Sequence, residues 1–283
     1  MASMKDIKRR KESIQSTGQI TKAMKLVATV KLQKARGRAE NARPYFDAMY
    51  NTVSKMLSNS GNIEHRYLKA GDTAKKAVIV ITANRGLAGG YNSNVIKLVS
   101  DSGISQSDMK IYAVGTKGRD FFARRGYEIA KDYSEVINEP MYSDAMEIGE
   151  QVLKDFEDGE IGEIYLAYTS FKNTVVHEPR MVKLLPMSQE TPDKSGEETP
   201  VSYEPEEEEA LDIIIPKYIN SLVYGALIES VASENGARMT AMDNATSNAE
   251  DIISELSLKY NRARQGSITQ ELTEIIAGAN AIN

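Results

Sequence analysis

The sequence contains no cysteine and no tryptophan. Without thiols there can be no disulfide, no thiol nucleophile and no cysteine-ligated metal. Histidine occurs only twice, at His65 and His177. Both stand in loop-like contexts without paired ligand spacing, so they read as structural or surface residues rather than as metal ligands or catalysts. Phenylalanine is scarce, with five residues, and alanine and methionine supply much of the apolar content. That composition suits long helices packed closely along their length better than a compact β core. Long apolar runs are missing too: "AVIVITA" at 77–83 is far shorter than the ~20 residues a bilayer span requires. The start, "MASMKDIKRRKESIQ", lacks the apolar core of a secretory signal, and its Asp6 and Glu12 argue against an uncleaved transit peptide. The expectation is a soluble protein, with the cytosol as default compartment. A length of 283 residues allows one large domain or two smaller ones.

What is present is unevenly distributed. Residues 1–43 carry twelve basic and three acidic residues, while residues 187–209 carry nine acids and one base, Lys194. A basic arm invites a nucleic-acid reading. Here the charges lie along a regular helix with no aromatic interleaving, which favours contact with an acidic protein surface, or simply a solvated face, over nucleic acid.

From Ala28 onward, small or apolar residues recur at alternating steps of four and three: Ala28, Leu32, Ala35, Ala39, Ala42, Phe46, Met49, Val53 and Met56. This is a heptad seam, the pattern of a helix winding around a partner. Upstream, Ile7, Ile14, Ile20, Met24 and Val27 continue it after a phase slip, and Pro44 predicts a bend. The other end of the chain repeats the pattern with Ala232, Asn235, Met239, Met242, Thr246, Ala249, Ile253, Leu256, Tyr260 and Ala263. After a second slip it resumes as Ile268, Leu272, Ile275, Ala279 and Ile282. The helical pattern there begins near Glu206 and is interrupted at Pro216. Two heptad helices at opposite ends of one chain pair most simply with each other, antiparallel. At ~1.5 Å per residue the last helix outruns the first by several turns, so its end needs a partner from another chain.

Between the helices, strands expected at 75–83, 109–115, 163–171 and 180–186 alternate with helices, one near 91–101 and one with Ser143 as its cap. This alternation indicates a mostly parallel sheet. The expected organisation is an α/β globular domain at 59–187, an acidic linker at 188–205, and coiled-coil helices at 1–58 and 206–283. "TANRGLAGGYN" (82–92) joins a strand to a helix through a Gly-rich turn that resembles a phosphate cradle. It lacks the Gly-Lys-Ser/Thr of a P-loop and the G-x-G-x-x-G spacing, so a tight structural turn exposing Arg85 to a partner is the better reading. "EEEE" at 206–209 favours a helix N-terminus over a metal site. No nucleophile and base stand in a recognisable constellation.

These motifs together resemble the gamma-subunit family of F-type ATP synthases, from end to end. The N-terminal helix carries "KDIKRR", "QITKAMKLVATVKLQKA" and "ARPY". The turn "TANRGLAGG" is similar to the family's S-D-R-G-L-C-G, with Asn84 at the Asp position and Ala88 at the Cys position. The last helix carries "ESVASENGARMTAMDNATSNA" and then "YNRARQGSITQELTEIIAGANA". The resemblance implies an antiparallel coiled coil of the N- and C-terminal helices flanking a Rossmann-like α/β domain with a mostly parallel sheet. It implies a non-catalytic rotor shaft, without cofactor, metal or small-molecule substrate, turning inside a hexamer of three alpha and three beta subunits. An epsilon subunit and a membrane c-subunit ring complete its partners, and the place is the cytoplasmic side of a bacterial cell membrane. Met24, Lys25, Arg85, Arg264, Gln265 and Thr269 match positions that meet a beta subunit. Leu272, Ile275, Ile276, Ala279 and Ile282 match the tip in the hexamer's apolar sleeve, and Tyr203 and Glu204 match foot positions near the ring. The missing cysteines rule out a plastid-type thiol switch. A non-rotating coiled-coil adaptor and a nucleotide-binding enzyme with helical arms stand as the alternatives.

Overall fold

The computed structural model describes residues 4–59, 65–174, 176–187 and 207–282, so the 188–205 linker and the foot residues Tyr203 and Glu204 lie outside the described residues. In chain order the elements are α1 (Met4–Asn59), β1 (Lys76–Ile81), α2 (Tyr91–Ser100), β2 (Met109–Val114), α3 (Thr116–Arg124), β3 (Glu128–Asp132), α4 (Tyr142–Glu157), β4 (Glu163–Phe171), β5 (His177–Leu185) and α5 (Glu207–Ile282). They form two compact units: Met1–Ala28 with Met239–Asn283, and Thr29–Arg238.

The larger unit is built on a five-stranded sheet of order β3-β2-β1-β4-β5. The first four strands in that order pair in parallel, and β5 closes the edge antiparallel to β4. β1 is central and reads "KAVIVI", a continuous apolar run, because both its faces are covered. On one face Ile79, Ile81 and Tyr112 meet Ile148 and Val152 of α4 and Leu211, Ile215, Ile219 and Val223 of α5. On the other, Val78, Val80 and Ile111 meet Val95 and Val99 of α2 and Phe122 of α3. The four-residue spacing of the α5 residues is one stripe of an α-helix, and it binds the long helix to the sheet.

The strands expected at β1, β2 and β4 lie where the apolar runs place them. β3 was not foreseen: "EIAKD" alternates half-buried and exposed residues, and its charged edge position hides it from a search for apolar runs. β5 begins at His177 rather than at Arg180, so His177 belongs to a strand and not to a loop. Ser143 is not the cap of α4. That helix starts at Tyr142, and the Asp144 carboxylate accepts the Met141 N–H at 2.8 Å. The interruption expected at Pro216 is absent, since α5 runs through it, as α1 runs through Pro44. α5 is also long and apolar enough, by length and composition, to cross a membrane, with half of its most apolar window buried inside the protein. The short runs had given no hint of this.

Within this unit α1 packs on α5 through the expected seam. Leu32, Ala35, Val53 and Met56 are buried, and Ala39, Ala42, Phe46 and Met49 are half-buried. The Phe46 ring lies 6.3 Å from that of Tyr224, over Gly225, where an added Cβ would meet it at 3.5 Å. Lys34 and Arg38 of α1 both bind Glu139, at 2.7 and 2.9 Å.

In the smaller unit the register is antiparallel. Gly18 faces Ala249, Thr21 Oγ1 and Thr246 Oγ1 are 2.8 Å apart, and Lys25 Nζ reaches Asp243 at 2.6 Å. The α5 seam positions Met242, Ala249 and Leu256 are buried as expected. On α1 the seam departs from the expectation. Thr21 is 8% exposed, while Ile20 and Val27 are 57% and 58% exposed. No phase slip occurs: the three-four alternation continues unbroken through Met4, Ile7, Lys11, Ile14, Gly18, Thr21, Lys25 and Ala28, each buried or half-buried. Polar and small residues hold the seam here because the hydroxyl pair and the ion pair satisfy them. Two strongly apolar residues face out instead.

Candidate partner-binding surfaces

Continuing the observed register to the first described residue of α1, Met4, brings it level with Ala263 on α5. Beyond this point no described residue of α1 remains to pair with α5. Ser267 is the last half-buried residue, and every residue from Ile268 to Asn280 is exposed. Leu272, Ile275 and Ile276 are 54%, 68% and 57% exposed, and Ala279 is exposed as well. The Ile282 side chain lies outside the described residues. The segment is helical, and the Gln270 amide donates to the Glu274 carboxylate one turn on at 2.9 Å, a pairing that supports a solitary helix. Several apolar side chains on one exposed stretch mark an interaction surface. Arg264, Gln265 and Thr269 are exposed at its base.

On α1, Ile20, Leu26 and Val27 are exposed, with Ile20 and Val27 two turns apart on one apolar surface of the helix. Sequence reading missed this surface because it assigned Ile20 and Val27 to the seam. The signal was available in the unbroken heptad, which passes through Thr21 once a polar seam residue is allowed. Of the two residues expected to meet a partner nearby, Met24 is half-buried and Lys25 is held by Asp243. Lys25 therefore also contributes an ion pair within the chain. Other basic residues of the arm are likewise engaged, Lys34 and Arg38 on Glu139 and Arg36 on Glu40. The hydrogen bond and charge of Lys34, then those of Arg38, hold the Glu139 carboxyl below the usual range.

The turn after β1 is fixed in detail. The Asn84 amide donates to the Ser134 carbonyl at 2.8 Å and its Oδ1 accepts the Thr116 N–H at 2.9 Å. Asn92 Oδ1 accepts the Ala83 N–H at 2.8 Å, and Arg238 of α5 donates to the Gly86 carbonyl at 3.3 Å. On this scaffold Leu87 adopts φ +60°, a left-handed conformation costly for a branched side chain, and is 65% exposed. Arg85 is exposed, and among the described residues its guanidinium has no ion pair or hydrogen bond. A rigid turn thus presents one free cation and one apolar side chain. Leu87 was not foreseen, since nothing in its residue type distinguishes it.

A family model described as ATP synthase matches residues 3–282. The "ATP synthase gamma chain" of Lachnoclostridium phytofermentans is 69% identical over 291 residues, with both chains fully covered. The chain belongs to the gamma-chain family of ATP synthases. The "ATP synthase gamma chain, sodium ion specific" of Acetobacterium woodii is 44% identical, covering 99% of each chain. A solved chain from the central stalk and c-ring of the Tetrahymena thermophila mitochondrial ATP synthase is 29% identical, with a TM-score of 0.62 over 80% of this chain and 99% of that one. For a gamma chain the departures in the turn are mild. Asn84 keeps an acceptor where the family pattern has Asp and adds a donor that reaches Ser134, while Ala88, in place of Cys, is buried beside Ala83 and Tyr91.

Proposed function

We propose that this chain is the non-catalytic central shaft of a rotary F-type ATP synthase, peripheral to a bacterial cell membrane on its cytoplasmic side. Its last helical turns stand in the apolar sleeve of a hexamer of three alpha and three beta subunits. The globular unit meets the epsilon subunit and the membrane ring, with Tyr203 and Glu204 at the foot. The observation that carries this reading is the exposed apolar end of α5, which has no partner among the described residues of its own chain. A bearing suits rotation when it holds few ion pairs, since each would break at every step, and residues 272–280 include a single charge, Glu274.

Arg264, Gln265 and Thr269 at the base of that segment, and Arg85 in the turn, are the groups that meet beta subunits. A guanidinium can follow a moving carboxylate cluster without one fixed geometry. Because the shaft presents different side chains in different directions, chemically identical beta subunits meet different surfaces and are biased to different conformations and nucleotide affinities. Torque from ion flow through the ring thereby reaches nucleotide sites on other chains, and hydrolysis drives the reverse.

The test is a reversible disulfide between cysteines placed at Gln265 and at the facing beta residue in the assembled complex. Multi-turnover ATP hydrolysis coupled to ion transport should stop on oxidation and return on reduction. Unchanged coupling in fully cross-linked complexes would exclude rotation of this helix against the beta subunit.

A further inference from the structure

The end of the β4–β5 hairpin grips α5 through polar side chains. The Thr169 N–H donates to Ser230 Oγ at 3.4 Å, and Ser233 Oγ donates to the Thr169 carbonyl at 3.2 Å. His177, paired with Phe171 where the hairpin closes, lays its ring against the α5 backbone at Gly236. A Cβ built on Gly236 would meet His177 Cε1 at 2.7 Å and Nε2 at 3.2 Å. Phe171 packs on the same imidazole, with centroids 5.9 Å apart. Beside it is a cleft of about 170 Å³, lined by Tyr91, Asn94, Thr169, His177, Pro179 and Ala237.

Tyr91 Oη, Thr169 Oγ1 and both ring nitrogens of His177 are buried there without a hydrogen-bond partner. Ser230 stands near the Tyr91 hydroxyl and the Thr174 backbone near the imidazole, neither with good bonding geometry. A neutral imidazole tolerates such a place. An imidazolium brings a charge and a second N–H donor into the same place, where burial opposes it and only the Thr174 backbone favours it.

Of the surrounding carboxylates, two are held in ion pairs, and the third, Glu229, has a buried Oε2 without a hydrogen-bond partner but stands off along the helix. On the hairpin, Glu178 binds Lys172 at 2.6 Å and Arg180 at 3.2 Å. On α5, Glu234 binds Arg238 at 2.6 Å, and Glu229 lies about two turns away from Gly236 and faces Tyr168. From α2 the neighbour is Tyr91, whose phenol burial keeps neutral.

We propose that His177 is a proton-operated latch: its neutral ring seats the hairpin end on α5 at Gly236, and protonation lifts it away, admitting water to the cleft and weakening the sheet's hold on that helix. In support, burial lowers the His177 pKa, outweighing the Thr174 backbone, which raises it. The sign follows from linkage. A histidine whose native pKa lies below its ordinary value of about 6.5 takes up the proton more readily when unfolded, so the contact is fully stabilising above that value and is lost as the pH falls from there through the lowered native pKa. The chain's role as a shaft enters only in the consequence, a looser junction between the sheet and the helix that carries torque.

The experiment uses the intact ATP synthase complex. Exchange of the histidine C2 hydrogen, read by mass spectrometry across pH, should give His177 a midpoint below that of free histidine. Between about pH 8 and about pH 5.5, on either side of the ordinary imidazole value, amide protection around Thr169 and across 230–238 should fall, after correction for the intrinsic exchange rate. A His177→Phe complex should retain it. The proposal is overturned by a His177 midpoint at or above that of free histidine, by protection that does not fall in the unmodified complex, or by an equal fall in His177→Phe. The first two need no variant to fold, and none requires rotation, so failure of the latch is distinct from failure of the shaft reading.

Discussion

Replacing Leu256 with alanine tests the seam of the smaller unit and the register on which the unpaired end depends. Leu256 is 6% exposed and, by the register of the Gly18, Thr21 and Lys25 contacts, is level with Lys11. Removing its three outer carbons forfeits about 2.4 kcal/mol, at roughly 0.8 kcal/mol per buried methylene. An interface of two helices can close or admit water, so the residual cavity adds little. The total belongs at the lower end of the range for buried leucines, about 2–3 kcal/mol. Leu258, two positions on, is 62% exposed, and its truncation should stay within about 0.5 kcal/mol. The assay is amide exchange over residues 249–263 in the full chain, where the Leu256 change should accelerate opening about 30- to 150-fold. If Leu256→Ala leaves exchange within threefold or so of the parent, a change below about 0.6 kcal/mol, or if Leu258→Ala matches it, the seam is misassigned and the argument for an unpaired end fails with it.

Ile275→Asp should leave the stability of the isolated chain unchanged, because the site is exposed, yet reduce the yield of assembled complex through a buried unpaired carboxylate. Equal recovery of complex by affinity purification would count against burial in a sleeve. Gly236→Ala should destabilise the larger unit by about 1–3 kcal/mol in a denaturant titration, the usual cost of overpacking, and adding His177→Ala should restore much of it. A double change no better than the single one would mean that His177 is not what Gly236 accommodates. Burial alone would raise the Glu163 carboxyl, but hydrogen bonds from Lys183, Lys76 and Tyr165 together hold it at about 2, so its contribution is complete above about pH 4.3 and is lost as the pH falls towards 2. Glu163→Gln should remove about 1–2 kcal/mol at neutral pH after allowance for solvent screening and flatten the acid limb; an acid limb of unchanged slope would refute this.

The heptad positions and the three central strands were legible because burial imposes a period on residue type, and a period survives in sequence. "KAVIVI" has to be a covered strand, and the Ala-rich seam has to face a helix. The misses share a cause. β3 is an edge strand whose charged residues satisfy its exposure rather than any pattern. Thr21 and Lys25 occupy seam positions as a hydroxyl pair and an ion pair, so a reading keyed to apolar residues chose Ile20 and Val27 and inferred a slip. At Lys25, where a partner contact was expected, the structure adds an ion pair with Asp243 that only the opposite helix reveals. Arg85 is exposed on the turn, whereas Leu87 depends on a backbone angle that no residue type announces.

The corrected seam changes what the N-terminal helix offers. A slipped seam would have buried Ile20 and Val27 in the pair and left a polar outer face. With the unbroken heptad, the pair is held by small and hydrogen-bonded residues, and apolar side chains point away from it. A seam made only of packed leucines would be more stable, so the sequence gives up stability in the pair while keeping apolar surface outside it. Single surface apolar residues are ordinary, but several gathered on one stretch mark a contact with another chain. The same holds for α5 past Ala263, where continued helical periodicity has no partner among the described residues of the chain. Both departures place apolar surface where only another chain can cover it. That is why assembly yield should respond to Ile275→Asp while the chain's own stability does not.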